Sequence, residues 1–258
     1  MPGGLKPPRT GETGQGPGVR ATALRLLPRW LVRHADFGFA ALLTLSAAGV
    51  WTFATLASEV MEGETHAFDT ALLLALRTPG TPSDPLGPPW VEEMARDVTA
   101  LGGVGVLTFL TLAVTGLLWL QCRRGSALFL LVSVGMGLAL SSAAKSLFDR
   151  PRPDLVPHGS HVYTASFPSG HSLMSAVTYL TLAVLLARTF PQRRLKAYVV
   201  ALAVLVTVSV GASRVYLGVH WPTDVFAGWA AGGAWALFCA AVARGLARRG
   251  AIEPDPGD

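Results

Sequence analysis

The chain has 258 residues, 51% of them hydrophobic and 14% charged, with a mean hydropathy of +0.44. Soluble domains carry about 25% charged residues. Here the deficit is spread over several long apolar runs, which excludes a single soluble globular domain and leaves a polytopic membrane protein. The net charge of +5 would suit nucleic acid, but no binding motif accompanies it. The two cysteines, Cys122 and Cys239, match no zinc or redox pattern.

In chain order, residues 1–35 read as a disordered, basic cytoplasmic tail and lead-in, rich in Pro and Gly up to residue 20. Phe37–Ala57 is an apolar run long enough to cross the hydrocarbon core. It exceeds the roughly 7–15 apolar residues of a cleaved signal peptide, so a retained first span is expected. Residues 58–100 change character, with Glu59, Glu62, Glu64, Asp69, Asp84, Glu92, Glu93 and Asp97 around a Pro/Gly-rich centre, Pro79 to Pro89. Within this extracytoplasmic loop, Ala67–Arg77 and Trp90–Thr99 are expected to be short helices on the membrane surface. Five further spans follow at Gly102–Leu120, Ala127–Ala144, Ser172–Ala187, Ala197–Ala212 and Val225–Val242. The expected fold is therefore all-α, a six-helix membrane bundle over residues 36–243, with residues 244–258 as a cytoplasmic tail. Trp30, Trp90, Trp119 and Trp221 lie near span ends and fit an aromatic belt.

Charge placement orients the bundle. With both termini in the cytoplasm, the amino-terminal tail, Arg123, Arg124, the stretch Arg188–Lys196 and Arg244–Arg249 hold 15 of the 21 Lys and Arg residues. The other face holds Arg77, Arg96, Lys145, Arg150, Arg152 and Arg214. This satisfies the positive-inside rule, and four of those outer cations fall beside stretches that carry histidines.

Three stretches carry the chemistry. Between two apolar segments, Ser213-Arg214 is followed by His220-Trp221-Pro222-Thr223-Asp224. Pro222 suits the first position of a new helix. Asp224 then lies in its first turn, in reach of one nitrogen of His220, leaving the other free as a nucleophile. Arg214 offers a fork of N–H donors to an oxyanion. The third span ends in Lys145, followed by Arg150-Pro151-Arg152-Pro153. The fourth opens with Pro168-Ser169-Gly170-His171, where Ser169 is a candidate helix cap and Gly170 permits close approach of a ligand. Two helix starts with Lys145, Arg152 and Arg214 would converge on a highly charged anion, and phosphate fits best. Taken singly, Lys145 is equally a snorkelling residue, and Arg150–Pro153 a basic loop touching head groups. His158 and His161 read as polar loop residues.

Lys145-x6-Arg152-Pro153, Pro168-Ser169-Gly170-His171 and Ser213-Arg214-x5-His220-x3-Asp224 together resemble the three-part signature of the type 2 phosphatidic acid phosphatase (PAP2) superfamily. The motifs cover Lys145–Asp224, and the span layout extends the similarity from Phe37 to Val242. The resemblance implies a metal-independent lipid phosphatase that needs no cofactor, with the site on the outer face of the inner (cytoplasmic) membrane. His220 would attack phosphorus to give a phosphohistidine, Asp224 would orient it, and His171 would protonate the leaving oxygen. Lys145, Arg152, Arg214 and the backbone at Ser169 and Gly170 would bind phosphate, with Arg150 at most accessory.

The implied partners are membrane lipids and a lipid phosphate or diphosphate substrate: undecaprenyl diphosphate first, phosphatidate or phosphatidylglycerophosphate next. Nucleic acid is not implied, and the oligomeric state is left open. A phosphotransferase using the same phosphohistidine remains open. A vanadate-dependent haloperoxidase is disfavoured by the six spans, and a non-catalytic membrane protein by the complete histidine and aspartate set. The charge count makes a direct prediction: single cysteines at Gly159 and Gly250 label from opposite sides of intact cells, and labelling from one side refutes the six-span layout.

Overall fold

Inside a bilayer the backbone must satisfy its own hydrogen bonds, which restricts long apolar runs to helices or closed barrels. The computed structural model describes residues 37–153 and 165–253, and these are mainly helical. Packing divides the chain into Met1–Ala40 and Ala41–Asp258. Of the first unit only residues 37–40, helical, are described; the packing below belongs to the second. His158 and His161 lie outside the described residues.

The elements are α1 (Phe37–Glu62), α2 (His66–Leu74), β1 (Arg77–Thr78), β2 (Thr81–Pro85), α3 (Pro89–Ala100), α4 (Val104–Leu120), α5 (Arg124–Leu147), α6 (Gly170–Ala187), α7 (Arg193–Tyr216) and α8 (Pro222–Arg248). Helices α1, α5, α6, α7 and α8 are long and apolar enough to cross a membrane. Helix α4, with 17 residues, makes a sixth span only together with α3, from which it bends by 47°. Large apolar side chains such as Trp51, Phe109 and Leu205 point outward, as lipid-facing surfaces require. Except for α4, which starts at Val104 rather than Gly102, the helices overrun the expected spans. α7 reaches from Arg193 to Tyr216 rather than Ala197 to Ala212, because polar residues at its ends continue the helix beyond its apolar centre. α8 likewise continues to Arg248.

Between the first two spans the expected Ala67–Arg77 helix stops at Leu74. The cause is Pro79-Gly80, a turn pair with Gly80 at φ +82°, which folds β1 and β2 into an antiparallel hairpin. This hairpin is the one departure from an all-helical pattern among the described residues. Arg77, expected to end a helix, is buried instead. Its Nη2 donates to the carbonyls of Val215 and Tyr216, at 3.3 and 2.8 Å, capping the end of α7.

Small residues set the helix packing. A Cβ on Gly228 would lie 2.8 Å from the Ser169 carbonyl oxygen, and one on Gly232 would lie 2.5 Å from that of Leu173. The Gly228-x3-Gly232 spacing thus brings the backbone of α8 against that of α6, as small-residue interfaces do in membranes. Away from the motif residues, Phe129, Leu130, Leu185, Cys239 and Ile252 form a buried cluster. Beside it the Glu253 carboxylate accepts from the N–H groups of Gly125 and Ser126, at the start of α5. Arg188 donates to the Glu253 carbonyl at 3.0 Å. Overpacking costs about 1–3 kcal/mol. Gly232→Ala is therefore expected to lower thermal stability in detergent by that amount. Gly233→Ala, whose Cβ would meet nothing within 4 Å, is expected to leave the melting midpoint unchanged or slightly raised.

Candidate active site

Helix ends assemble the site. α5 closes with Lys145, and its side chain runs past the first residue of α6: a Cβ on Gly170 would lie 3.2 Å from Lys145 Cε. Ser169 caps α6, its Oγ accepting from the Ser172 N–H at 3.4 Å. α7 ends after Arg214 and Tyr216 in a left-handed Gly218 (φ +70°). There the N–H groups of Gly218 and Val219 return to the carbonyls of Val215 and Arg214, a Schellman closure that a side chain at 218 would strain. α8 then opens at Pro222, where the Asp224 carboxylate reaches back to the Trp221 N–H at 3.0 Å. The two helix starts are joined directly, Ser169 N–H donating to the Asp224 carbonyl at 3.0 Å.

His220 is 1% exposed and Asp224 fully buried. Asp224 Oδ2 lies 3.3 Å from His220 Nδ1, and Arg152 Nη1 lies 3.2 Å from Nε2. A guanidinium can only donate, so Nε2 accepts and the proton sits on Nδ1, facing the carboxylate. Both neighbours therefore select one tautomer, with its lone pair on Nε2. Burial depresses the His220 pKa to about 4, with Arg152 and Arg214 adding to the shift and Asp224 opposing it. At neutral pH the contact with Asp224 is accordingly a hydrogen bond of neutral imidazole rather than an ion pair.

Around Nε2 stand the cations expected from the sequence. Lys145, Arg152 and Arg214 are half-buried and close enough to act on one another electrostatically. Arg152 Nη1 also donates to the Val219 carbonyl at 2.7 Å. Arg214 Nη1 donates to Thr99 Oγ1 at 3.2 Å, while its buried Nε has no partner among the described residues. His171, on the first turn of α6, lies within electrostatic reach of His220 and all three cations. Its backbone and Cβ abut Gly102 at the α3–α4 break, where a side chain would collide with Val210. The N–H groups of Gly170 and His171 precede the first intrahelical bond of α6 and are open to an anion.

All the motif residues thus come together. The structure also brings in residues that sequence reasoning missed. Arg150, expected to be accessory, is bound at 2.6 Å both to Asp224 Oδ1 and to Asp69 Oδ2. Asp69, on α2, is fully buried and accepts from the Thr223 N–H and Oγ1 at 2.9 and 2.7 Å. Ser166 donates its hydroxyl to Asp224 Oδ2. Trp221 is not part of an aromatic belt. It is 6% exposed, donates from Nε1 to the Pro151 carbonyl at 3.0 Å and lies beneath the Arg150 guanidinium. In the sequence Arg150 stands only as accessory, Trp221 only as a span-end aromatic and Asp69 only as one of eight acids in the 58–100 segment, while Ser166 carries no signal.

Comparison with known proteins gives the family. A family model described as the PAP2 superfamily matches residues 126–247. Phosphatidylglycerophosphatase B of Bacillus subtilis is 34% identical over 145 residues, 56% of this chain and 71% of that protein. The chain belongs to the PAP2 superfamily. It is accordingly a phosphate-ester hydrolase. The undecaprenyl-diphosphatase of Sulfolobus acidocaldarius is 32% identical over 136 residues, half of this chain and 61% of that protein. The crystal structure of the transmembrane PAP2-type phosphatidylglycerolphosphate phosphatase from Bacillus subtilis superposes with a TM-score of 0.65 at 27% identity, covering 80% of this chain and 98% of the other. The fold is thus that of a multi-pass membrane PAP2 enzyme.

The environment of His220 makes a prediction of its own. Its protonated form is penalised by burial, so the imidazole stays neutral as pH falls until about pH 4. In histidine-labelled protein its NMR signal is expected to show the neutral Nδ1–H tautomer at pH 5.5. A midpoint near the ordinary 6.5 contradicts this.

Proposed function

We propose that the chain hydrolyses a lipid phosphate or diphosphate through a phosphohistidine at His220. The observation that carries this reading is the His220 ring itself. It is neutral, oriented by Asp224, and aims the Nε2 lone pair at Arg152 amid three cations and an open helix start.

In the free enzyme the lone pair is hydrogen-bonded to Arg152. A phosphoryl group bound by Lys145, Arg152, Arg214 and the Gly170 and His171 N–H groups gives Arg152 a better acceptor and uncovers Nε2. The lone pair then forms the N–P bond as the P–O bond to the leaving group breaks. The bound phosphoryl dianion offsets the cations around His171 and lets it carry a second proton, which it gives to the leaving oxygen. Positive charge gathers on the imidazole, and Asp224 stabilises it through Nδ1–H. The cations and helix start bear the charge redistributed over the phosphoryl oxygens, in positions preset by packing. Water then attacks phosphorus, His171 takes its proton, and the N–P bond breaks to release phosphate.

The lipid class rests on the relatives named above and on a catalytic centre built at the ends of apolar helices. Undecaprenyl diphosphate and phosphatidylglycerophosphate are the first substrates to test. The orientation proposed is six spans in the cytoplasmic membrane, both termini inside and the site outside, which the distribution of Lys and Arg supports.

Activity separates the roles of the two histidines. His220→Ala is expected to abolish turnover of every substrate. His171→Ala should cost about 10²–10⁴-fold where a strongly basic alkoxide leaves, as from phosphatidate. Read as kcat/KM, which excludes the later His171-assisted hydrolysis of the phosphoenzyme, it should cost far less on undecaprenyl diphosphate or an aryl phosphate, whose leaving groups are weakly basic. If His171→Ala is equally damaging on all three while His220→Ala still forms a phosphoenzyme, the assignment is reversed.

A further inference from the structure

The catalytic carboxylate is not solitary. Asp224, Arg150 and Asp69 form a continuous chain of two ion pairs, each 2.6 Å, both aspartates fully buried and the Arg150 side chain 12% exposed. Thr223 locks the far end, giving its N–H and its hydroxyl to Asp69 while its Oγ1 accepts from Arg150 at 2.9 Å. Asp69 lies on α2, remote in sequence from all three motifs and out of contact with His220. Burying two carboxylates and a guanidinium costs several kcal/mol per ion unless each is fully paired. An apolar contact between α2 and α8 would avoid that cost, so stability alone does not explain the arrangement.

Charge does. Asp224 serves His220 by stabilising the positive imidazole that forms when Nε2 attacks phosphorus. Arg150, bound to the other oxygen of the same carboxylate, draws off part of that negative charge. Asp69 in turn draws on Arg150. We propose that Asp69 is a positioning residue for phosphoryl transfer, acting through Arg150 to set the negative charge that Asp224 presents to His220. The inference rests on the reading of His220 as nucleophile. With Asp69 present the triad carries one net negative charge; without it Arg150 compensates Asp224 completely, and the attacking imidazole loses its counter-charge.

The remaining groups around His220 are Arg152 from the loop after α5, Arg214 from α7, His171 from α6, Lys145 from α5 and the Ser166 hydroxyl. None changes in Asp69 or Arg150 variants. The signs are therefore determinate. Removing the negative Asp69 makes His220 harder to protonate, and removing the positive Arg150 makes it easier.

The test uses the full chain in detergent with p-nitrophenyl phosphate, whose leaving group does not need His171, and compares Asp69→Asn, Asp69→Glu, Arg150→Gln and the double variant with the parent. Asp69→Asn is expected to lower kcat/KM about 10–100-fold, the usual effect of losing a partner that supports a site's primary groups. Asp69→Glu should recover part of the loss. Competitive inhibition by inorganic phosphate, which reports the cation cluster, should stay within about twofold. Relative to the parent, the acidic limb of kcat/KM should move down in Asp69→Asn, up in Arg150→Gln, and lie between them in the double variant. Unchanged kcat/KM in Asp69→Asn overturns the proposal. So do limb shifts of the same sign in both single variants, or a loss that appears equally in phosphate inhibition. Should Asp69→Asn not fold, the Arg150→Gln limb decides alone: upward supports the proposal, no shift overturns it. His220→Ala runs alongside. Activity retained there refutes the nucleophile assignment itself, whatever the Asp69 variants do.

Discussion

The Asp224 carboxylate is the point to which the rest of the site is tied. Wholly buried, it would be untenable as a bare charge, and every contact it makes also fixes a segment of chain. Arg150 brings in the loop after α5, Ser166 the stretch before α6, and the Trp221 N–H the start of its own helix α8. His220 completes the set. The three motif regions, separated by up to seventy-nine positions between Lys145 and Asp224, meet because one anion has to be satisfied.

The surrounding cations divide into two kinds. Arg150 is neutralised by two aspartates and belongs to the framework. Among the described residues Lys145 and Arg214 make no ion pair, and a buried N–H of Arg214 has no acceptor. Such unmet electrostatic demand is costly in a protein interior. In the proposed mechanism the phosphoryl group would supply the missing negative charge. Neither residue type nor position in the sequence distinguishes the neutralised Arg150 from Arg214.

This explains what was legible beforehand. Spans, helix starts at Ser169 and Pro222, and the motif residues follow from local rules: apolar length, capping chemistry and spacing along one helix turn. The partnership of Asp69 with Arg150 does not, because it depends on how α2 docks against the start of α8, and nothing near Asp69 distinguishes it from Glu64 or Asp84. The expected Ala67–Arg77 helix is present but ends three residues early, at Leu74, for a local reason: Pro79-Gly80 carries a turn signal strong enough to start a hairpin at Arg77. Trp221 was assigned to the interface by its place at a span end, whereas its indole N–H finds a carbonyl inside the site. The break between α3 and α4, by contrast, is legible as a surface helix over Trp90–Thr99 followed by a span from Gly102, and Gly102-Gly103 marks it.

The close approach of α6 and α8 at Gly228 and Gly232 bears on which parts of the bundle can move. Two helices in backbone contact cannot part without losing packing along several turns, so this pair behaves as a fixed wall. Mobility is left to elements that bury little. α4 buries only Leu107 and Thr111 and is bent where it meets α3. A cavity of about 180 Å³ already lies along it, lined by Val104, Leu107, Thr111, Leu138 and Met174. Regions with few buried contacts open at the lowest free energy. The bundle therefore has a rigid side at α6 and α8 and a loosely packed side, where α1 and α4 each bury only two or three residues.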